Sequence, residues 1–535
     1  MRDGEVFSKR SSSLTTISLA TLALVVAGLS LLVSVGCEAA KSKDERRGPR
    51  SQANVQGELF QSVVSNLDRL EQFDFTQILP LICDRLNQWY QQEKPSVSWQ
   101  PDPLVAELPE NLRDLTVVKR LDFMDYRLPD AWYLQESVWL RDISKNARAD
   151  QFEDLAVAER LFDWTVRNIQ LEPDAARADG NQHTPVETLL FGRGQAIDRA
   201  WIFLLLARQQ GLDVLLLGLA DESGKNVRPW LPALLSGGEL YLFDCRLGLP
   251  IPGPGGKGVA TLSQVVTDEQ LLRALDLDED HKYPITGDDL RHVVAYVEAS
   301  PSSLSRRMAM VESRLAGKHK MVLTSPGDEL VERVKKASHV SDAKLWPHPF
   351  ELWLAQSKRS EAEMQSAARE MMIFRVIPSL MKGRSLYFKG VYDGEKGAKR
   401  YLLEARPADA MIESYKLSGD DAKKFRPEDV PKIEATQTVL MKRGKQDASF
   451  WLGLITFEQQ DFPSAIDFFN KRVLEAAPKG PWAPAARYNL ARSYEASGEI
   501  DKAIKLYETD KSPQSHGNQL RARRLKEGTA KAEAK

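Results

Sequence analysis

Among the side chains able to do chemistry, those around the stretch "GRGQAIDRAW", Gly192 to Trp201, come first. Two glycines there feed a long apolar run, the pattern of a loop entering a buried helix. The partial positive charge at such a helix start would favour an anionic nucleophile. Yet the stretch holds no Cys, Ser or Thr; its acid is Asp198, and His183 lies a short way upstream. Only Cys37, Cys83 and Cys245 occur in the chain, too few for a disulfide framework or an all-Cys metal site. Cys83 and Cys245 could form one bridge or remain two buried free thiols. The Gly-rich loop "GLPIPGPGGKGVA" lacks the Lys-Ser/Thr pair and helix start of a phosphate-binding loop. No metal and no cofactor are expected.

A chain of 535 residues exceeds one core, and roughly 150 residues per domain suggests about three units. Its 42% apolar and 28% charged residues are those of globular sequence, and its net charge of -2 gives no reason to expect nucleic-acid binding.

At the N-terminus Arg2, Lys9 and Arg10 precede the uncharged stretch 11–37. It is longer than the apolar segment of about 7–15 residues in a simple signal peptide, and long enough to span a bilayer. It ends in Ser34, Val35, Gly36 and Cys37, which resembles a bacterial lipobox and makes Cys37 a lipidation candidate. An uncleaved membrane helix is the alternative. Lys41, Lys43, Arg46, Arg47 and Arg50 follow the run, and a strict positive-inside count would keep the body in the cytoplasm. The order of basic start, apolar run, small residues and Cys favours export and a cell-envelope location. Residues 38–56 read as a flexible linker.

From 57 to 150 the apolar residues recur at three- and four-residue spacing, as in helices with one buried stripe. Thr184, Pro185 and Glu187 predict a short capped helix, broken at Gly192 and Gly194. A second helix runs from Gln195 or Ala196 to Gln210, apolar on nearly every side, and Gly211 ends it. "VLLLGL" then reads as a buried strand, and "LPALLSGGELYLFD" as a hairpin turning at Gly237 and Gly238. Further on, "LRHVVAYVEAS", residues 302–315, "HKMVLTS" and residues 327–336 predict strand, helix, strand, helix.

A buried helix start against a small antiparallel sheet resembles the transglutaminase-like (papain-like) fold. "FDWTVRNIQL" is similar to that family's lead-in helix, and "GRGQAIDRAWIFLLLARQQGLDV" to its nucleophile helix. "RPWLPALL" resembles its histidine strand and "LYLFDCRLGLPIPG" its aspartate strand. The family uses a Cys to attack an amide carbonyl, a His to take the proton and an Asp to orient the ring. The resemblance places the Cys position on Ala196, the His position on Arg228 and the Asp position on Asp244. It therefore implies a degenerate triad: a methyl group cannot form a covalent intermediate, and Arg cannot act as a base at physiological pH. It also implies an ion pair between Arg228 and Asp244. Cys245 is expected to face away, since neighbours on a strand point to opposite faces. His183, beside a Thr-Pro cap, is expected at the surface.

From Pro349 onward the pattern is helical, and two segments resemble tetratricopeptide repeats, with Gly453 and Ala465 at the helix contacts of the first and Ala491, Gly498 and Ala503 in the second. Ala465 and Ala503 stand 38 positions apart, against about 34 for a minimal repeat. Such hairpins stack into grooves that take peptides, or else simply pack on the preceding helices.

The fold expected is α+β: an anchor (1–37), the linker (38–56), a helical region (57–150) and a papain/transglutaminase-like domain (151–258). An α/β extension (259–345), a helical region (346–440), tetratricopeptide-like helices (441–511) and a frayed, charged tail (512–535) follow. Three functions fit: an envelope scaffold or protein-binding module with a dead triad; a cysteine-independent hydrolase or amidase using Asp198, Asp244 or His183; or an adaptor whose helical repeats bind peptides.

Overall fold

The computed structural model describes residues 52–73, 75–177, 182–224 and 226–533, so the apolar run, Cys37 and most of the linker lie outside it. Among the described residues no helix is long and apolar enough to cross a membrane. The fold is mixed α+β. Contacts separate residues 407–442 from a larger unit made of 52–406 and 443–533. Within 407–442, Lys416 pairs with Glu434 at 2.8 Å and Arg426 with Asp429 at 2.8 Å.

The larger unit begins with helices α1 (Gln52–Leu67), α2 (Phe75–Glu93) and α3 (Leu128–Ala147). Their apolar stripes meet through Val63, Leu86, Trp89, Leu134 and Val138, and Cys83 is buried in the same core. Helix α4 (Asp154–Asn168) leads to the short strand β1 (Gln170–Leu171). Helix α5 (Pro185–Phe191) starts in the expected box: Glu187 N–H donates to Thr184 Oγ1, and Thr184 N–H to the Glu187 carboxylate. Strand β2 (Arg193–Gly194) pairs in parallel with β1, and helix α6 (Ala196–Gln209) follows. Residues Ala200–Ala207 of α6 are all buried, as a helix apolar on every side requires.

The sheet contains β3 (Val214–Ala220), β4 (Val227–Ser236), β5 (Glu239–Asp244), β6 (Leu249–Pro250), β7 (Val293–Val297) and β8 (Val340–Leu345), in the order β6-β5-β4-β3-β7-β8. The β4–β5 hairpin turns at Gly237 and Gly238, with Leu234 opposite Tyr241. Alternation along β3 sends Leu215, Leu217 and Leu219 into one core with Leu112, Leu242 and Leu272.

Strand β7 pairs antiparallel with β3, and β8 pairs parallel with β7, so one sheet runs across the boundary expected at 258/259. Between β7 and β8 lie helices α7 (Arg306–Glu312) and α8 (Gly327–Val334). The strand expected at "HKMVLTS" does not form. Its amides are taken by side chains instead: Leu323 and Thr324 N–H donate to the Glu312 carboxylate at 2.7 Å each, and Val322 N–H to Gln209 Oε1 at 3.0 Å. Strand β8 occupies the sheet edge in its place.

The remaining helices include α9 (Glu361–Val376), α10 (Pro378–Phe388), α11 (Val430–Glu458), α12 (Phe462–Asp467), α13 (Ala483–Ala496), α14 (Ile500–Glu508) and α15 (Ser515–Glu533). A π-helical segment, 468–475, continues α12. Ala465, Ala491 and Ala503 are fully buried where hairpin helices meet. A Cβ on Gly453 would come within 2.6 Å of the Phe469 ring, so that glycine sets a close approach. Gly498 is not a packing residue. At φ +81°, with open space around it, it makes the turn between α13 and α14. The tail is not frayed either: α15 runs through it, with Leu520 and Ala522 buried. Helix α13 lies on α4, where Asn489 Nδ2 donates to Arg167 O at 3.1 Å and Arg492 pairs with Asp163.

Arg199 is the fixed point beneath the sheet. It is 1% exposed, and donates from Nε to Ile169 O (2.8 Å), from Nη1 to Cys245 O (3.1 Å) and from Nη2 to Val166 O (3.4 Å). Val166 O and Ile169 O belong to the end of α4, where helix carbonyls lack partners of their own and a cation is favoured. Burial draws its pKa down to about 10, so it remains charged at neutral pH. Replacing Arg199 with Leu leaves these carbonyls bare, and urea unfolding should show a loss of about 3–5 kcal/mol. A loss under about 1 kcal/mol would remove Arg199 from this role.

A second polar knot joins α6 to β7 and α3. Trp201 Nε1 donates to Glu298 Oε1 at 3.0 Å, and Arg208 pairs with the same carboxylate. Burial, then the charge of Glu298, push nearby Glu136 up to about 8 against the opposing pull of Arg208. The folded state thus holds a proton that the unfolded chain releases near the ordinary value of 4.5. Stability should fall as pH rises from about 5 to about 8. Glu136→Gln should flatten that decline, leaving the variant more stable at pH 9 by on the order of 2–4 kcal/mol in thermal or urea unfolding. Parallel pH curves for the two proteins would rule this out.

Candidate functional site

Three elements deliver the residues marked out by the sequence to one place. Ala196 opens α6, Arg228 lies near the start of β4, and Asp244 ends β5. All three line a cavity of about 690 Å³. Ile197, Leu216, Trp230, Pro284 and Ile285 supply apolar wall, while Asp174, Gln195, Arg246, Tyr283, His348 and His516 add polar groups.

Asp244 is buried, and both of its oxygens are hydrogen-bonded. Oδ1 takes the N–H groups of Arg246 and Leu247, each at 2.8 Å. Oδ2 takes the Tyr283 hydroxyl at 2.7 Å, and that hydroxyl receives Trp230 Nε1–H at 2.9 Å. Burial lifts the Asp244 pKa above the usual carboxylate value, although the Leu247 N–H, Tyr283 and Arg246 oppose it.

The ion pair expected between Arg228 and Asp244 is not formed. Arg228 pairs with Asp289, which is held in turn by Thr286 N–H at 2.9 Å and Thr286 Oγ1 at 2.8 Å. The Arg228 side chain is 54% exposed, so this is a rim contact and leaves the buried acid to Tyr283. Arg246 spans the mouth to Asp174 at 3.0 Å.

Cys245 is among the residues along the cavity, and it is buried. Strand β5 stops at Asp244 and the chain turns through 245–248, where the two-face rule no longer applies. Cys83 and Cys245 are both free and buried, so no bridge joins them. Burial pushes the Cys245 thiol well above the ordinary thiol range, with Arg199 only partly opposing it, and such a thiol is a poor nucleophile at neutral pH.

The other candidate acids and bases are occupied elsewhere. Asp198 is buried at the start of α6 and accepts Gln195 N–H at 2.8 Å. His183 is buried rather than at the surface: it is 4% exposed, packs with its ring tilted against Phe191 at 5.1 Å and reaches Glu370 of α9 at 3.2 Å. Burial works against the charge of Glu370, but His183 and Arg193 outweigh it and hold the carboxylate at about 2. His183 does not line the cavity.

Two histidines that sequence reasoning did not single out do line it. His348 stacks on Trp346 (4.9 Å) and meets the edge of Trp201 (5.3 Å); burial draws its pKa down to about 4, so its ring is neutral. His516 Nε2 lies 2.8 Å from Leu275 O, which can only accept, so Nε2 carries the hydrogen. Neither ring is among the hydrogen-bond partners of Asp244. Only long-range contacts bring them here, and no local pattern around either residue announced it.

The cavity thus has a helix start without a nucleophile and a strand position with a permanent cation. Its buried acid already satisfies a structural network. What remains is a recess of mixed apolar and polar lining with guanidinium groups at its rim. Among the described residues no three His, Cys, Asp or Glu side chains are grouped to hold a metal ion. No protein-family model, curated protein or solved structure matches the chain.

Proposed function

We propose that this protein is a non-catalytic, envelope-anchored binding module, built on a transglutaminase-like domain with a degenerate triad and on tetratricopeptide-like helices. The observation that carries the reading is the convergence of Ala196, Arg228 and Asp244 on one cavity in which none of them can start acyl transfer. In this view the cavity keeps its shape as a recognition site for a protein or peptide segment. The stacked helices serve as support, because α13 spends Asn489 and Arg492 on α4. The stretch 11–37 is the anchor, either as a membrane helix or through a lipid on Cys37.

The competing hydrolase reading must take its base from Asp198, Asp244 or His183, each committed to another partner. The full chain should therefore show no amide hydrolysis and no transamidation above buffer. Turnover that disappears in Asp244→Asn would overturn the proposal. For the anchor, the mass of the mature protein should correspond either to an intact N-terminus or to cleavage before a lipid-bearing Cys37. Cleavage at any other site would refute both forms.

A further inference from the structure

The charged groups along the cavity are already matched. Arg246 makes two bonds to Asp174, at 3.0 and 3.3 Å, and Arg228 pairs with Asp289 just outside the lining. Asp244 accepts two backbone amides and the Tyr283 hydroxyl, and the Arg246 cation opposes the burial that raises its pKa. An entering carboxylate would have to displace Asp174 or Asp289, and would only exchange one acid for another. An entering cation would meet carboxylates that already hold their partners. Either ion would give up water for little in return, so its desolvation goes uncompensated.

Most of the neutral polar groups are engaged as well. Tyr283 sits between Trp230 and Asp244, Gln195 Nε2 donates to Asp174 O at 2.8 Å, and His516 spends one of its two nitrogens on Leu275 O. His348 is different, for neither of its ring nitrogens bonds to any described residue. The ring is held in place all the same. It stacks on Trp346 and meets the edge of Trp201, whose Nε1 is fixed to Glu298 at 3.0 Å. Burial alone draws the His348 pKa down to about 4, so at neutral pH the ring offers one N–H donor and one bare nitrogen acceptor. A hydrogen bond made in such sheltered surroundings is stronger than one in water, and the ring needs no ordering when a ligand arrives.

We propose that the cavity takes an uncharged part of its ligand, an apolar group beside one amide or hydroxyl, and that His348 is the side chain that meets this polar atom. The inference rests on reading the cavity as a recognition site, and names what that site accepts. Leu216, Trp230, Pro284 and Ile285 supply wall for the apolar group. The volume of about 690 Å³ falls within the range of about 300–1,000 Å³ common to sites for small ligands.

The test follows His348 itself. Diethyl pyrocarbonate acylates neutral imidazole nitrogens, and mass spectrometry of the full chain reports each histidine separately. His281, 66% exposed and outside the cavity, is the control in the same molecule. The probes share one apolar body and differ in head group: phenylpropanamide, phenylpropanoate and phenylpropyltrimethylammonium. A ligand of the amide's size binds with a Kd of about 4 mM, so at about 10 mM it should slow His348 about threefold relative to His281. Each ion should slow it by less than half as much. Stronger protection by either ion overturns the inference, as does an absence of protection by all three, or a His348 that the reagent never reaches. In His348→Phe, which keeps an aromatic ring against Trp201 and Trp346, the Kd of the amide from saturation-transfer NMR should rise about fivefold. An unchanged Kd overturns the role of His348, and the footprint on the unaltered protein decides the matter if this variant does not fold. Amide turnover lost in Asp244→Asn would sink the recognition-site reading whatever the footprint shows. A footprint led by an ion, with no turnover, would sink the uncharged-ligand inference alone.

Discussion

One buried guanidinium, that of Arg199, ties together the elements around the cavity. Arg199 lies in α6, 1% exposed, and it donates to three carbonyls rather than to a carboxylate. Stranding a charge in a low-dielectric interior is costly, so the surrounding backbone must present its carbonyls in one arrangement. That arrangement ties the end of α4 to the turn after β5, and with them fixes how the start of α6 faces Asp244. The cavity is the space those constraints leave open.

The interior of the cavity is also a closed hydrogen-bond account. Asp244, Tyr283 and Trp230 form a chain in which each polar atom has a partner, and two backbone amides complete it. In a reactive triad the acid must keep an oxygen for the imidazole of the base. Here the Tyr283 phenol donates to Oδ2, and the cation on the neighbouring strand turns outward to Asp289. The neutral ring of His348, packed against two tryptophans, adds surface and shape.

Sequence reasoning reached those parts of the site governed by local rules. Periodicity placed the α6 start at Gln195 or Ala196 and turn chemistry placed the β4–β5 hairpin, while the grouping of Ala196, Arg228 and Asp244, which line one recess, came from the family resemblance. It missed what depends on distant partners. Arg228 finds Asp289 some sixty residues on, with a sequence separation of 61, rather than the acid on the adjoining strand. Cys245 lies outside the alternation rule because the strand ends one residue earlier. Glu312 and Gln209 diverted the amides of 322–324 from a sheet that their apolar pattern suited. In "LRARRLKEG" one buried leucine among so many charges was not enough to announce a docked helix, yet Leu520 sits in the sheet's core.

The placement of α15 bears on how the protein is made. His516 meets Leu275 across a sequence separation of 241 residues, so this side of the recess stays open on the ribosome long after the sheet itself has been synthesised. Contacts that span such distances form late and slowly, because the chain must first lose the entropy of a very large loop. Until the last helix arrives, the nascent protein exposes the apolar surface that Leu520 will cover, and is then at its most vulnerable to aggregation.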